Sequence, residues 1–521
     1  MPAKALHEKI EHVVVLMLEN RSFDHLFGDF PNANGLVEGN GDYKANVWNS
    51  KGPTKSQPGA KFFPERVNVQ DVPQMVFNPD HSFRGMTMEI FGQPLRSIKE
   101  GIPLPLGPGS VIQTTYPPAM SGFCWYSEGN DDPGDSKNYN LSFYQYLPPG
   151  ERGRLRVLHT LAENFLLCDS WHCDVPSCTV PNRMFMHAAT SCGHNSTDQN
   201  YREYPYYKAK TIYQQIDETG KDWAMYYFSN EGTGLPSDQT DASMNGYTAI
   251  RPQGNKNIQN FVTDAADGNL PFYTFLMCSF LDQFPTEGSL GNSMHSESDV
   301  RFGENYVAAV YNALRKSPLW GKTLLIVNFD ESGGIYDHVK PPQVPRPDGY
   351  VNDGEPSFDF SMLGPRIPAI LISPWLDKGI VFRDQLQNTS ILRFVQNLLT
   401  SGLEPNFLSL TERDAQAPSF ASVFWRDEPR TDCLPFLEDY GPLFNTIPFP
   451  AGVLSTEAVE RYLDAPPSKL YLDVALEYAN VLPGHTDSGH RISRQFLTRR
   501  ALFSYSQERR DAALKFYCQT K

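Results

Sequence analysis

The run Val13 to Leu18, VVVLML, constrains this chain more than any other stretch of it. Six successive apolar residues do not read as a half-buried strand, which alternates. They suit a short strand covered on both faces, as in a parallel sheet. Glu19, Asn20, Arg21 and Asp24 follow almost at once. Strands commonly end in polar residues, which is one account of them. The other is that open α/β sheets bind ligands beyond the carboxyl ends of their strands, where a carboxylate leaving a core strand has rigid support.

Four further stretches read as buried strands: Ala224 to Phe228, Phe272 to Cys278, Leu324 to Phe329 and Ala369 to Ser373. Between the second and third of these lies Glu304 to Arg315, whose Val307, Val310, Tyr311 and Leu314 share one helical face. Strand, helix, strand implies a parallel crossover, so the expected fold class is α/β, a largely parallel central sheet flanked by helices. Residues of about 29–113 and 195–260 read as cap insertions, the first rich in Pro, Gly and Asn. The expected organisation is a catalytic domain over 1–425 and a partly helical C-terminal extension over 426–521. The arginines of that extension read as a solvated face.

A net charge of -15 argues against a nucleic-acid partner, because neutralising phosphates needs a basic surface. No stretch approaches the roughly 20 apolar residues of a transmembrane helix, and no signal peptide is visible. The expected location is cytoplasmic or peripheral at a membrane, with export by a non-Sec route left open. The eight cysteines form no C-x-x-C pair and read as buried free thiols.

Three constellations carry chemistry. The first is Glu19 and Asn20 at the strand end. The second is SCTVPNR, Ser177 to Arg183, where Pro181 suits a first helical turn. That turn places the Thr179 hydroxyl at a helix N-terminus, with Arg183 in reach of an oxyanion. A capping threonine would look the same. The third is FDESGGIYDHVKPP, Phe329 to Pro342. Asp330 and Glu331 leave a strand as Glu19 and Asn20 do, and adjacent carboxylates repel unless a cation or a proton lies between them. Two such strand ends offer hard oxygen ligands to a divalent ion. His81 and His295 are candidates to bind a phosphoryl oxygen or to move a proton.

With these residues in view, the chain resembles the phosphoesterase family of bacterial phospholipases C, certain bacterial acid phosphatases and plant non-specific phospholipases C, within the alkaline phosphatase-like superfamily. The resemblance rests on ENRSFDHLFG (19–28), TVPNR (179–183), NSMHSESDVRFGE (292–304), DESGGIYDHVKPP (330–342) and GPRIPAILISPW (364–375), in the family's order. It implies an alkaline phosphatase-like sandwich. It also implies a divalent metal ion, zinc first with calcium or another divalent ion as the alternative, held by Glu19, Asn20, Thr179, Asp330 and Glu331. Thr179 is then the nucleophile, with His81 and His295 facing substrate and Arg183 on the developing charge. Two positions depart from the family's habit: Ser332 stands where His is frequent, and Ser296 where Pro is usual.

The implied activity is phospholipase C-type hydrolysis of phosphatidylcholine-like lipids at a membrane surface, through a phosphothreonine. Phe123, Trp125 and Tyr126 could face a quaternary ammonium group or simply pack the cap, and Asp337 and His338 are further candidates to meet substrate. An acid phosphatase acting on monoesters would use the same residues. A sulfatase shares the T-x-P-x-R spacing but needs a modified Cys or Ser where Thr179 stands. A non-catalytic lipid-binding protein would have no reason to keep Glu19, Thr179, Asp330 and Glu331 together.

Overall fold

The structure is a computed structural model that describes residues 4–37, 42–44, 46–47, 61–72, 75, 78–92, 118–123, 141–197, 209–228, 254–279, 291–296, 298–350, 352, 358–400 and 409–440. Its centre is an eight-stranded sheet. The elements that build and flank it are β1 (His12–Leu18), α1 (Phe23–Phe27), α2 (Phe83–Phe91), α3 (Arg156–Asn164), β2 (Leu166–Cys168), α4 (Thr179–Ala188), β3 (Trp223–Tyr227), β4 (Asn255–Asn257), α5 (Ile258–Asp267), β5 (Tyr273–Met277), α6 (Val300–Lys316), β6 (Thr323–Phe329), β7 (Ala369–Ile372), β8 (Ile380–Phe382) and α7 (Thr389–Leu399).

Across the sheet the order is β8, β2, β7, β6, β1, β5, β3, β4. Only β7 runs against its neighbours, β6 and β2. Every other pairing is parallel. The central position of β1 explains its composition: Val13 to Leu18 are wholly buried, with a parallel strand on each side. Helices α3 and α5 each pack on α6, and α4 packs with α7.

The five strands expected from the sequence are all present, with ends displaced by one residue at most. The strand at Trp223–Tyr227 belongs to the main sheet although it lies inside the 195–260 stretch. Helix α6 begins four residues before the expected Glu304, because the Asp299 side chain accepts from the Arg301 amide and caps it there. Strands β2, β4 and β8 have three residues each, too few to show a period, and were not anticipated.

Residues 409–440 lie against this layer. The Tyr311 hydroxyl donates to the Leu434 carbonyl at 2.6 Å, and the Tyr440 hydroxyl donates to Glu304 Oε2 at 2.6 Å. The start of the expected extension is thus tied to α6, and 441–521 lies outside the described residues. All six described cysteines are free. No described helix is long and apolar enough to cross a membrane.

Candidate active site

The parallel register pairs Leu18 with Phe329, so Glu19 and Asp330 leave the sheet side by side. Three hydrogen bonds hold the two chain exits together: Asp330 N to Leu18 O at 3.0 Å, Asn20 N to Asp330 Oδ1 at 3.1 Å, and Arg21 N to Glu331 O at 3.1 Å. Asn20 turns the chain at φ 58°, a left-handed conformation that asparagine tolerates better than most residues. Gly333, at φ 68°, packs so closely that a Cβ there would lie 2.5 Å from the Asn20 carbonyl oxygen. Glu19, Asn20, Asp330 and Glu331 are all buried.

Thr179 is the first residue of α4, with Cys178 as its N-cap. The segment before it is stitched by Asn182, whose Nδ2 donates to the carbonyls of Val175, Ser177 and Cys178 while its Oδ1 accepts from the Val175 amide at 3.0 Å. One turn into the helix comes Arg183. Its Nη2 donates to Glu19 Oε1 at 3.2 Å and its Nε to Asp330 Oδ2 at 3.3 Å, and all three side chains are buried. Expected as the partner of an oxyanion, Arg183 is joined here to two site carboxylates, since a buried guanidinium requires counter-charge.

The rest of the cluster keeps open ligand atoms. Both side-chain polar atoms of Asn20 and Oε1 of Glu331 are buried without a hydrogen-bond partner. Burial, and then Asp330 beside it, pushes the Glu331 carboxyl well above the usual range. Orphaned buried oxygens next to paired carboxylates fit the divalent ion that the sequence implied.

His295 arrives on the chain that follows β5. The Glu19 amide donates to the Ser293 carbonyl at 2.8 Å, and the Arg21 guanidinium donates to the carbonyls of Met294 at 2.6 Å and His295 at 3.1 Å. The His295 and His81 rings meet edge to face, 5.6 Å apart. Burial, then the charges of His81 and Arg21, holds His295 well below its ordinary value, so it is neutral. His81 is the more exposed of the two.

Asp337 and His338 form a clasp with Asp24 and Arg366. Arg366 donates to Asp337 Oδ1 and to Asp24 Oδ1, each at 2.8 Å. Lys44 Nζ lies 2.7 Å from His338 Nε2, which makes that nitrogen the acceptor and leaves His338 Nδ1 to donate to Asp24 Oδ2 at 2.7 Å. Ligand atoms of Asp24, Asp337 and His338 lie within 4.8 Å of one another, a spacing an ion can bridge. The Arg366 guanidinium already supplies positive charge to both carboxylates there. Asp337 and His338, expected to meet substrate, therefore both have partners within the protein. Phe123 is fully buried against Tyr336, the packing account of that ring. Trp125 and Tyr126 lie outside the described residues.

Sequence reasoning missed Asn182 and also Glu89, a carboxylate buried in α2. Burial, then the like charges of Asp80 and Glu331, pushes its carboxyl well above the usual range. The signal was there: one charged residue in the otherwise uncharged run GMTMEIFG.

A buried oxygen-rich cluster at the carboxyl edge of a largely parallel sheet lies where open α/β folds place their ligands. The model of the Phosphoesterase family matches residues 10–400. Non-specific phospholipase C4 of Arabidopsis thaliana is 35% identical over 440 residues, 81% of this chain and 73% of that protein. Non-hemolytic phospholipase C of Burkholderia pseudomallei is 28% identical over 428 residues, 74% of this chain and 55% of that protein. A solved protein of the alkaline phosphatase superfamily from Vibrio parahaemolyticus aligns at a TM-score of 0.27 and 14% identity over 47% of this chain and 60% of that one, too remote to bear on the site. The chain belongs to the Phosphoesterase family, a family of metal-dependent phosphoric ester hydrolases.

Proposed function

We propose that this protein is a phospholipase C-type hydrolase that cleaves the glycerol-side phosphate ester of phosphatidylcholine-like lipids. The observation that carries the reading is the joining of Glu19, Asp330 and Arg183 at the start of the helix that Thr179 opens. The names of its phospholipase C relatives support the substrate class. The catalytic unit is assigned to 1–425 and the extension to 426–521.

Glu19, Asn20, Thr179, Asp330 and Glu331 would hold the divalent ion, whose Lewis acidity lowers the pKa of the Thr179 hydroxyl when it is bound. These oxygen donors admit calcium or another hard ion as well as zinc. The Thr179 hydroxyl gives its proton to solvent as its oxygen bonds to phosphorus, and the bond from phosphorus to the diacylglycerol oxygen breaks. The leaving oxygen takes a proton from the histidine pair, with His81 the donor and neutral His295 orienting it. Water then cleaves the phosphothreonine, releasing the phosphorylated head group and freeing Thr179. The N-terminus of α4 balances negative charge on the phosphoryl oxygens, while Arg183 holds Glu19 and Asp330 in place beside it. Asp337 and His338 brace the chain that carries Asp330 and Glu331.

Phosphorus NMR of the products from phosphatidylcholine, phosphatidylglycerol and a soluble phosphomonoester, under one set of conditions, tests the assignment. Phosphocholine released at the highest kcat/KM, abolished reversibly by a chelator, is expected. A clear preference for the monoester would replace the reading with acid phosphatase, and lipid binding without turnover would replace it with a non-catalytic lipid-binding protein.

A further inference from the structure

Among the described residues four arginine side chains are fully buried, and three of them face carboxylates: Arg183 pairs with Glu19 and Asp330, Arg366 with Asp24 and Asp337, and Arg413 with Asp174. Arg21 is the exception. Its Nε donates to the Met294 carbonyl at 2.6 Å, and its Nη2 reaches those of His295 at 3.1 Å, Ser296 at 3.2 Å and Ser298 at 3.4 Å. Its Nη1 is buried without a partner, so no carboxylate among the described residues pairs with it. One guanidinium is spent on gathering the backbone of the 294–298 loop.

That loop needs holding. Met294 stands at φ 68°, a left-handed conformation that such a residue seldom adopts unless its surroundings enforce it. It is pressed against α6, where a Cβ on Gly303 would lie 2.3 Å from Met294 Cγ. The next residue is His295, whose ring meets that of His81 at 5.6 Å. The His295 carbonyl accepts from the Ser298 amide at 2.6 Å as well as from Arg21, and the Ser296 carbonyl accepts also from the Met75 amide at 2.8 Å, on the chain that leads to His81. Arg21 thus fixes the backbone on both sides of His295. Its own amide serves another end, donating to the Glu331 carbonyl at 3.1 Å, a bond that a change of side chain leaves in place.

A buried charge without a counter-charge costs stability, and an apolar side chain would fill the same space without that cost. What the guanidinium adds is several charge-assisted hydrogen bonds in one fixed fork. We propose that Arg21 is a positioning residue for protonation of the leaving group: it sets His295 against His81, the proton donor, without acting on the metal ligands or on Thr179. This role rests on the histidine pair protonating the leaving oxygen, as read above. With the donor out of place, a poor leaving group departs slowly, whereas one that is stable as an anion departs without a proton.

Two substrates that yield the same phosphocholine separate the roles. One is dihexanoylphosphatidylcholine below its micellar concentration, whose leaving alkoxide needs a proton; the other is p-nitrophenyl phosphocholine, whose nitrophenolate does not. Arg21→Met keeps the stem without the donors, and is expected to lower kcat/KM on the lipid about a hundredfold more than on the nitrophenyl ester, with bound metal unchanged by elemental analysis. Arg21→Lys, which keeps the charge, should show the same selectivity in weaker form, and decides the matter by that ratio if Arg21→Met does not fold. His81→Ala should show it in full, and adding Arg21→Met to His81→Ala should then cost little more on the lipid. Equal losses on both substrates, or losses on neither, in the Arg21 variants while His81→Ala stays selective would overturn the role of Arg21 and leave the histidine pair intact. Equal losses in His81→Ala would overturn the histidine pair as proton donor, and the role of Arg21 with it.

Discussion

Thr179 and Asn182 show how one short motif divides its labour. Thr179 stands at the first position of α4, whereas Asn182 faces backward and ties down the residues that lead into it. Loss of the Thr179 hydroxyl removes the nucleophile, and Thr179→Ala is expected to lower kcat by at least about a thousandfold with the circular dichroism spectrum unchanged. Thr179→Ser should keep part of the activity. A folded Thr179→Ala enzyme of near wild-type rate would rule out the covalent route. Asn182→Ala leaves the Val175 amide and several carbonyls without partners, at about 1–3 kcal/mol each for groups that stay buried. It should lower both urea stability and kcat, while leaving the metal content unchanged. Unaltered kcat would mean that the loop keeps Thr179 in place without it.

Elements reach the site through interlocked ends more than through their own faces. The end of β6 is braced from α7, where Asn388 Nδ2 donates to the carbonyls of Phe329 and Asp330 at 3.3 Å. Arg366, just before β7, clasps Asp24 of α1 to Asp337 on the chain leaving β6. The antiparallel course of β7 makes this possible: it starts at the edge where β1 and β6 end. The glycine of GPRIP is needed for the approach, since a Cβ on Gly364 would lie 2.3 Å from the Cys173 sulfur. Arg366→Ala would leave two carboxylates buried without their cation, and is expected to cost roughly 3–5 kcal/mol in urea unfolding. A loss below about 1 kcal/mol would show that His338 and water replace it.

For the whole molecule, buried histidines set the response to acid. Burial pushes His159, His172 and His187 each down to about 3. His159 Nε2 donates to the Leu26 carbonyl at 2.8 Å and His172 Nδ1 to that of Gly364 at 3.0 Å, both neutral. In the unfolded chain these groups take protons near pH 6.5, whereas the folded chain does not until about pH 3. Stability is therefore full above the unfolded value and falls as pH drops through this window, by roughly 3 kcal/mol per histidine by about pH 4. Glu304 has the opposite sign: burial pushes it up to about 7, so its contribution declines as pH rises from its unfolded value toward neutrality. Urea midpoints measured across this range should fall toward acid, and fall less in His159→Gln once the loss common to all pH values is subtracted. A midpoint insensitive to acid would mean that the histidines are already protonated in the fold.

The β-branched run of β1, the helical face of α6 and the polar exits at Glu19 and Asp330 were legible in the sequence because each is a local pattern: a period, or a change of polarity along consecutive residues. The same holds for Thr179 at a helix start, which Pro181 signals. The order and direction of the strands were not local. Nothing in the four residues of β7 distinguishes parallel from antiparallel, and that choice depends on which hydrogen bonds β6 and β2 leave open. Arg183 likewise read as a cation near an oxyanion, and only the parallel register of β1 with β6 brought Glu19 and Asp330 close enough for one guanidinium to join both. Glu89 is the extreme case. Along the chain it is one acid in an otherwise uncharged run, and its state comes from burial and then from Asp80 and Glu331, groups of like charge that packing alone brought to it.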